Sequence, residues 1–462
     1  MDLRDVSLTD RYDLSKRQVL LNGTQALVRL PMMQRARDLA AGHATAGYVT
    51  GYRGSPLGAV DTQMARAKAE LVAHDITFNP GLNEDLAGTA VWGTQQAHLR
   101  GEGTHEGVFA MWYAKGPGVD RSGDVFRHAN FAGTAPLGGV IAAMGDDHTC
   151  ESSTTLHQSE FAFVDAMMPI LSPAGVQELI DFGIAGWALS RYSGCWVGIK
   201  CVKDTVDVTE VLDGDPHRLS FVEPEAFALP EGGLNIRLGD TPHDQEARLH
   251  DYKRYAAEAW ARANRLDRRV HGRAGAKIGI VSTGKSWLDT VHALGVLGLD
   301  QAACEAMGIT TYKVAMPWPL DMTSFREWAE GLELIICVEE KRKLVEVQIK
   351  EALFNDRNGR RVVGQFDETG REIFPTKGAM EPMGIAQKLG ELLVREGRRT
   401  EALTAALTAV EEVQKADNAP VIAERKPWFC AGCPHSTSTK LPDGSRDYAG
   451  IGCHYMVQWM DR

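Results

Sequence analysis

Residues 46–58 read AGYVTGYRGSPLG, and the fold turns on this stretch. Ala46–Tyr52 is short and largely apolar, and it runs directly into a turn with three glycines, Gly51, Gly54 and Gly58, around Ser55-Pro56. A short apolar run bounded by turn signals predicts a buried strand. The pattern returns downstream. Gly107–Tyr113 (GVFAMWY) predicts a strand followed by the loop KGPGVDRSGD. Gly138–Gly145 (GGVIAAMG) predicts a strand followed by the polar loop Asp146–Ser153 (DDHTCESS), and Gly194–Val202 predicts another strand. Gln25–Ala41, Asn83–Leu99 and Pro173–Leu189 have helical spacing; Pro31 is a residue type favoured at a helix start and offers a later beginning for the first of them. Strands alternating with helices imply an α/β fold with a doubly wound, mostly parallel sheet.

A second alternating set follows, with strands at Lys277–Val281, Thr311–Val314 and Leu334–Val338 and helices near Ser286–Leu297, Met322–Glu330, Lys343–Phe354 and Ile385–Glu396. The domain boundaries are therefore placed as a polar N-terminal arm 1–17, a first domain 18–235, a linker 236–275, a second domain 276–400, a linker 401–425 and the start of a third unit, 426–462. That last piece is too short to bury its own core, so the chain reads as a fragment of a longer polypeptide or as one that packs on another subunit. The total of 462 residues suits roughly three domains at about 150 residues each.

The net charge of -11 argues against nucleic acid as the main partner, because phosphate binding needs clustered Lys and Arg. No stretch approaches the roughly 18 apolar residues of a membrane helix. The mixed-charge start has no apolar signal core, and the protein is expected to be cytoplasmic. Of the 8 cysteines, Cys150, Cys195, Cys201, Cys304 and Cys337 are scattered and read as reduced core thiols.

Ligands in open α/β sheets bind beyond the carboxyl ends of the strands. The glycine turn Gly51–Gly58 would let backbone N–H groups approach an anion, or it is a plain tight turn. Asn83-Glu84 opens a small-residue helix, where a carboxylate is often only a capping residue. The loop DDHTCESS offers a metal or base site, or simply solvated polar residues. Gly279–Ser286 (GIVSTGKS) matches the P-loop pattern in spacing, but Gly279 lies inside the predicted strand, so a simple strand-turn-helix is the better reading. Cys430 and Cys433 form a C-x-x-C, and Cys453 follows in Gly450–Tyr455 (GIGCHY), with His435 and His454 close by. Soft ligands so closely spaced point to a metal or iron–sulfur site, with unbound thiols as the alternative.

Taken in order, these segments resemble the 2-oxoacid:ferredoxin oxidoreductase superfamily, most of all the large (fused) indolepyruvate ferredoxin oxidoreductase-type proteins, from about residue 18 to 462. Tyr52–Pro56 (YRGSP) is similar to the family's Tyr-Pro-Gly-Thr-Pro-type loop beside thiamine and substrate, with Arg53 where Pro is usual. The resemblance implies that Tyr52, Gly54, Pro56 and Asn83 line the thiamine site, that Ser55 faces the oxoacid and that Glu84 bonds N1′ of the aminopyrimidine. DDHTCESS resembles an Asp-Asp-…-Ser-Ser loop near that site. Residues 18–235 then form a pyrimidine-type thiamine-diphosphate domain, and 276–400 a transketolase C-terminal-like domain that is mainly structural. FCAGCPH plus GIGC resembles the opening of the diphosphate-binding domain, which implies Cys430, Cys433 and Cys453 as three of the four ligands of a [4Fe–4S] cluster. The segment holding Mg²⁺ and the diphosphate would come later in the polypeptide.

The implied activity is oxidative decarboxylation of a 2-oxoacid, of the indolepyruvate, aryl or branched-chain type, with electrons passing to ferredoxin and the acyl group to coenzyme A. The remainder of the polypeptide or a partner subunit, and a homo- or hetero-oligomer, are implied with it. The competing expectations are a non-redox thiamine enzyme of the decarboxylase or transketolase kind, a P-loop NTPase, and an inactive partner-binding fragment.

Overall fold

Strand β4 (Val108–Lys115) shows why this chain folds as it does. Phe109, Met111 and Tyr113 enter one apolar cluster, while Ala110, Trp112 and Ala114 enter another on the opposite face. A strand buried on both sides needs helices on both sides, the hallmark of a parallel α/β sheet. The computed structural model describes residues 7–151, 155–417, 423, 426–446, 448, 450 and 452–460. In it β4 sits inside a six-stranded parallel sheet. The strands are β2 (Ala46–Gly51), β3 (Ile76–Phe78), β5 (Val140–Asp146), β6 (Ile170–Leu171) and β7 (Val197–Val202), in the order β3-β2-β4-β5-β7-β6.

One face is covered by helices Gly23–Ala40 and Val176–Ser193, which cross closely: a Cβ on Gly183 would fall 2.2 Å from Leu30. The first of these helices does not begin at Pro31, which lies inside it. Its start is set by a capping box, in which Asn22 accepts from the Gln25 N–H and Gln25 returns a bond to the Asn22 N–H. The other face carries Glu84–Thr94 and Gly123–Ala132, with Trp112, Phe126, Phe163 and Trp196 packed edge to face. The loop read at KGPGVDRSGD is largely helical instead, as Gly116–Arg121 with Pro117 in its first turn. Strands β1 (Gln18–Asn22) and β8 (Thr209–Asp213) pair antiparallel beside the sheet. Arg29 is fully buried and donates to carbonyls of Arg11, Asp13 and Gly214, tying down the described part of the N-terminal arm.

The stretch 236–275, expected to be a linker, is folded. Helices Pro242–Arg248 and Arg254–Ala263 are joined by a π-helical turn, Leu249–Lys253, and Trp260 is buried in the first core. The amphipathic face of this segment, not its charge, decides its place.

The second sheet contains β9 (Arg268–Arg269), β10 (Ile278–Thr283), β11 (Ile309–Val314), β12 (Leu334–Val338) and β13 (Arg361–Val363), ordered β13-β12-β10-β11-β9 with β9 antiparallel. The two domains share a seam. The segment after β11 lies along β6, with the Ile170 N–H donating to Trp318 O at 2.7 Å and the Ser172 N–H to Ala315 O at 2.9 Å. Asp267 accepts from the N–H groups of Ala315 and Met316 at 2.7 and 3.0 Å, which fixes that segment. Burial holds the Asp267 carboxyl up at about 7 against these two bonds, and burial likewise holds Glu339, which caps helix Val345–Leu353, at about 7.

Both carboxyls favour their protonated form in the folded protein. Their contribution to stability is full below the usual carboxylate range and is lost as pH rises through about 7. The thermal midpoint should therefore fall as pH goes from about 5 to about 8, and Asp267→Asn should flatten that fall. Parallel wild-type and mutant profiles in differential scanning calorimetry would refute the assignment.

Candidate functional site

The carboxyl edge of the first sheet gathers most of the residues singled out from the sequence. After β2 the chain leaves through Tyr52, whose N–H donates to Tyr113 O at 3.0 Å. The Ser55-Pro56 peptide is cis, and Pro56 and Leu57 are buried against Gly145 at the end of β5. Gly54 lies on the stem of Lys115, where a Cβ would stand 2.7 Å from the lysine Cγ. The Gly81 N–H donates to Gly51 O at 2.9 Å, which brings the next loop alongside. Two residues on, Asn83 caps helix Glu84–Thr94 by accepting from the Leu86 N–H at 2.9 Å.

Glu84 is the first residue of that helix and only 8% exposed. The Trp112 indole N–H donates to its main-chain oxygen at 3.1 Å, so the helix start is pinned to β4. Its carboxylate lies on Gly118, where a Cβ would meet Glu84 Cγ at 2.6 Å and Oε1 at 2.8 Å. Arg121 Nη1 stands 4.0 Å from Oε2 and is held more firmly by Asp85, at 3.1 Å. Among the described residues the carboxylate makes no hydrogen bond. Tyr52, Gly54, Ser55, Pro56, Asn83 and Glu84 thus share one edge.

The loop after β5 holds a cluster of hydrogen-bonded charged groups. Asp146 is fully buried and accepts from the N–H and hydroxyl of Ser159, at 2.9 and 2.6 Å. His157 stands between Asp120 (2.7 Å) and Asp146 (3.4 Å). Burial works against its charge, but the two carboxylates outweigh it and carry the imidazole up to about 9. Burial also works against ionised Asp146, and His157 and Lys200 more than offset it. His157 rests on Gly116, where a Cβ would lie 2.2 Å from Nδ1. His157, Asp120 and Gly118 escaped the sequence reading; the polar HQSE run before a helix and the Gly-Pro-Gly after β4 are the signals that carry them. Ser152 and Ser153 lie outside the described residues.

His148, from the same loop, pairs with Glu340 of the second domain, which also accepts from Lys285 at 3.3 Å and from the Met380 N–H at 2.8 Å. Burial opposes ionised Glu340, yet His148 and Lys285 bring it down to about 2. Lys285 spends its donors on Asp289, Glu340 and the Met380 carbonyl. Gly279 is inside β10, as the strand-turn-helix reading requires, and the lysine of the P-loop-like motif is committed to the protein itself.

Cys430 and Cys453 are exposed and Cys433 is half-buried. The two halves of the cysteine motif meet through His435 and His454, whose rings lie 5.9 Å apart, and Cys433 Sγ is 3.3 Å from His435 Nδ1. The donors are soft, as an iron–sulfur cluster needs, but among the described residues no three His, Cys, Asp or Glu are gathered to hold a metal. No helix of the described residues is long and apolar enough to cross a membrane.

Comparison with known proteins agrees with this picture. Residues 268–417 match the indolepyruvate oxidoreductase domain family. The indolepyruvate oxidoreductase subunit IorA of Methanothermobacter marburgensis is 22% identical over 443 residues, covering 94% of this chain and 61% of that protein. The IorA of Pyrococcus abyssi is 24% identical over 439 residues, covering 93% and 60%. The chain thus spans about three fifths of the length of these relatives. Among solved structures, the 2-oxoglutarate:ferredoxin oxidoreductase from Magnetococcus marinus superposes with a TM-score of 0.57 at 14% identity, over 81% of this chain and 65% of that one. The family model and the relatives bear out the resemblance to the 2-oxoacid:ferredoxin oxidoreductase superfamily, and the solved structure bears out the mostly parallel α/β fold.

Lys285→Met should cost about 1–3 kcal/mol in urea unfolding, because it removes one of the two cations that face the buried Glu340 carboxylate and leaves Asp289 without its partner. It should leave nucleotide titrations as they are in the wild type; a nucleotide affinity lost with Lys285 would restore the P-loop reading.

Proposed function

We propose that this chain is the thiamine-binding portion of an oxidoreductase that decarboxylates an indolepyruvate, aryl or branched-chain 2-oxoacid oxidatively, with coenzyme A as acyl acceptor and ferredoxin as electron acceptor. The observation that carries the proposal is Glu84: a buried carboxylate at a helix start, without a hydrogen bond among the described residues and with only the distant Arg121 as a counter-charge, in a chain whose relatives are named as indolepyruvate oxidoreductase subunits.

Thiamine diphosphate, when bound, supplies the carbanion that attacks the oxoacid and the electron sink that follows. The chain's own part is to hold a proton. Glu84 would share one with N1′ of the aminopyrimidine, and its burial keeps water from competing for it. Asn83 and Trp112 fix where the carboxylate stands, and Gly118 leaves room for it. Tyr52, Gly54 and Pro56 form the loop wall, and Ser55 would face the substrate. The diphosphate and its Mg²⁺ are assigned to the remainder of the polypeptide or to a partner subunit, and an oligomer follows from such a shared site. Cys430, Cys433 and Cys453 are proposed as ligands of a [4Fe–4S] cluster on their spacing.

Two measurements test the proposal on the intact polypeptide, prepared anaerobically with thiamine diphosphate and coenzyme A. Adding a panel of 2-oxoacids should bleach a broad visible absorption band with at least one of them. A colourless protein, or a band that no oxoacid bleaches, would overturn the redox assignment. Glu84→Gln should lower kcat on the order of 10³-fold with the thermal midpoint unchanged. Wild-type turnover by that variant would remove Glu84 from the mechanism.

A further inference from the structure

The opposite end of the first sheet carries a cleft of its own. His43 precedes β2, Leu137 precedes β5, and Arg191 and Tyr192 end the helix that leads to β7, so these residues stand at the amino ends of the strands. They line a cleft of about 640 Å³. Phe221, Glu223 and Leu229 line it from the loop after β8, and Trp260 from helix Arg254–Ala263. β5 is 7 residues long, so roughly 20 Å of sheet separates the cleft from the edge that holds Glu84. Its volume is that of a small-molecule site, and its make-up is that of one too: apolar walls with a few polar groups.

The rings of Phe221 and Trp260 lie 5.3 Å apart, and Ile184 and Ala188 add aliphatic surface. Two arginines reach the cleft, and they differ. Arg191 is spent: it grips both oxygens of Asp38 at 2.7 Å and also donates to the carbonyls of Gly138 and Leu137. Asp38 is filled as well, since Gln34 and Thr45 donate to the same two oxygens. Arg37 gives one N–H, from Nη1, to Pro216 O at 2.6 Å and lies over the Phe221 ring at 5.7 Å. Among the described residues it has no ion pair. Its Nε and Nη2 N–H groups remain, the pair that holds a carboxylate side-on. Tyr192 is buried, and its hydroxyl has no hydrogen-bond partner among the described residues. Leaving a guanidinium and a buried hydroxyl unpaired is unfavourable, and both belong to the lining of one cleft.

We infer that this cleft binds a planar aromatic monocarboxylate. The ring lies against Phe221 and Trp260, Arg37 takes the carboxylate, and the Tyr192 hydroxyl donates to it. A single unpaired cation, with Glu223 exposed at the rim, suits one negative charge and disfavours a phosphate dianion. The inference does not depend on the proposed activity, because the cleft shares no residue with the Glu84 edge.

Isothermal titration of the intact polypeptide with 2-naphthoate tests it. The wild type should bind one equivalent per chain. Arg37→Gln should weaken binding about tenfold or more and Tyr192→Phe about fivefold, each with the thermal midpoint close to that of the wild type. Ala188→Phe, which fills the cleft and leaves both polar groups in place, should abolish it. Glu84→Gln should bind as the wild type does. A wild type that takes up no 2-naphthoate, as it would if the remainder of the polypeptide covers the cleft, overturns the inference. So does an affinity unchanged in both Arg37→Gln and Ala188→Phe, or one lost in Glu84→Gln, since either places the acid elsewhere.

Discussion

A parallel sheet packed on both faces has nowhere to put polar chemistry except the ends of its strands, and this constraint organises the molecule. In β4 and β5 successive side chains go alternately to two apolar clusters, so no interior position of either strand faces water. The polar groups appear where the strands stop: Lys115 and Asp146 are the last residues of β4 and β5, and Gly51 is the last of β2. Glycines at Gly54, Gly116 and Gly118 then let Lys115, His157 and Glu84 pack directly on backbone.

The same logic explains what could be read from the sequence. Strands β4, β5, β7, β10 and β12 are apolar runs long enough to be legible, and Leu334–Val338 is seen as predicted. Strands β6 and β9 are two residues long and carry no periodic signal. Gly116–Arg121 hides its helix behind Gly and Pro, residues that ordinarily mark turns. In the site, Asn83 and Glu84 were legible because capping is local chemistry. His157 with Asp146, and His148 with Glu340, were not: the second pair is 192 residues apart, and only the finished fold brings it together. The resemblance to a known superfamily singled out loops that the fold brings to one edge, but the position of Gly118 as the bed of Glu84 belongs to the finished fold alone.

Among the described residues no side chain of the second domain bonds Glu84, yet the second domain's charges reach the first domain's loops. Glu340 draws on His148 of the first domain and on Lys285 and Met380 of its own, so the loop after β5 is held from across the seam. Paired buried charges of this kind add little net stability and much specificity of position.

The contact between β6 and the Ala315–Trp318 segment has a further consequence. β6 is the outer strand of its sheet, and an outer strand presents unpaired main-chain groups that will join with any strand they meet. Here the second domain supplies the covering backbone at Ile170 and Ser172. The two domains are therefore not cleanly separable modules: cutting between them would leave the buried N–H groups of Ile170 and Ser172 without their acceptors at the edge of the first sheet. What looks like a brace between domains also serves as the protein's protection against its own sheet.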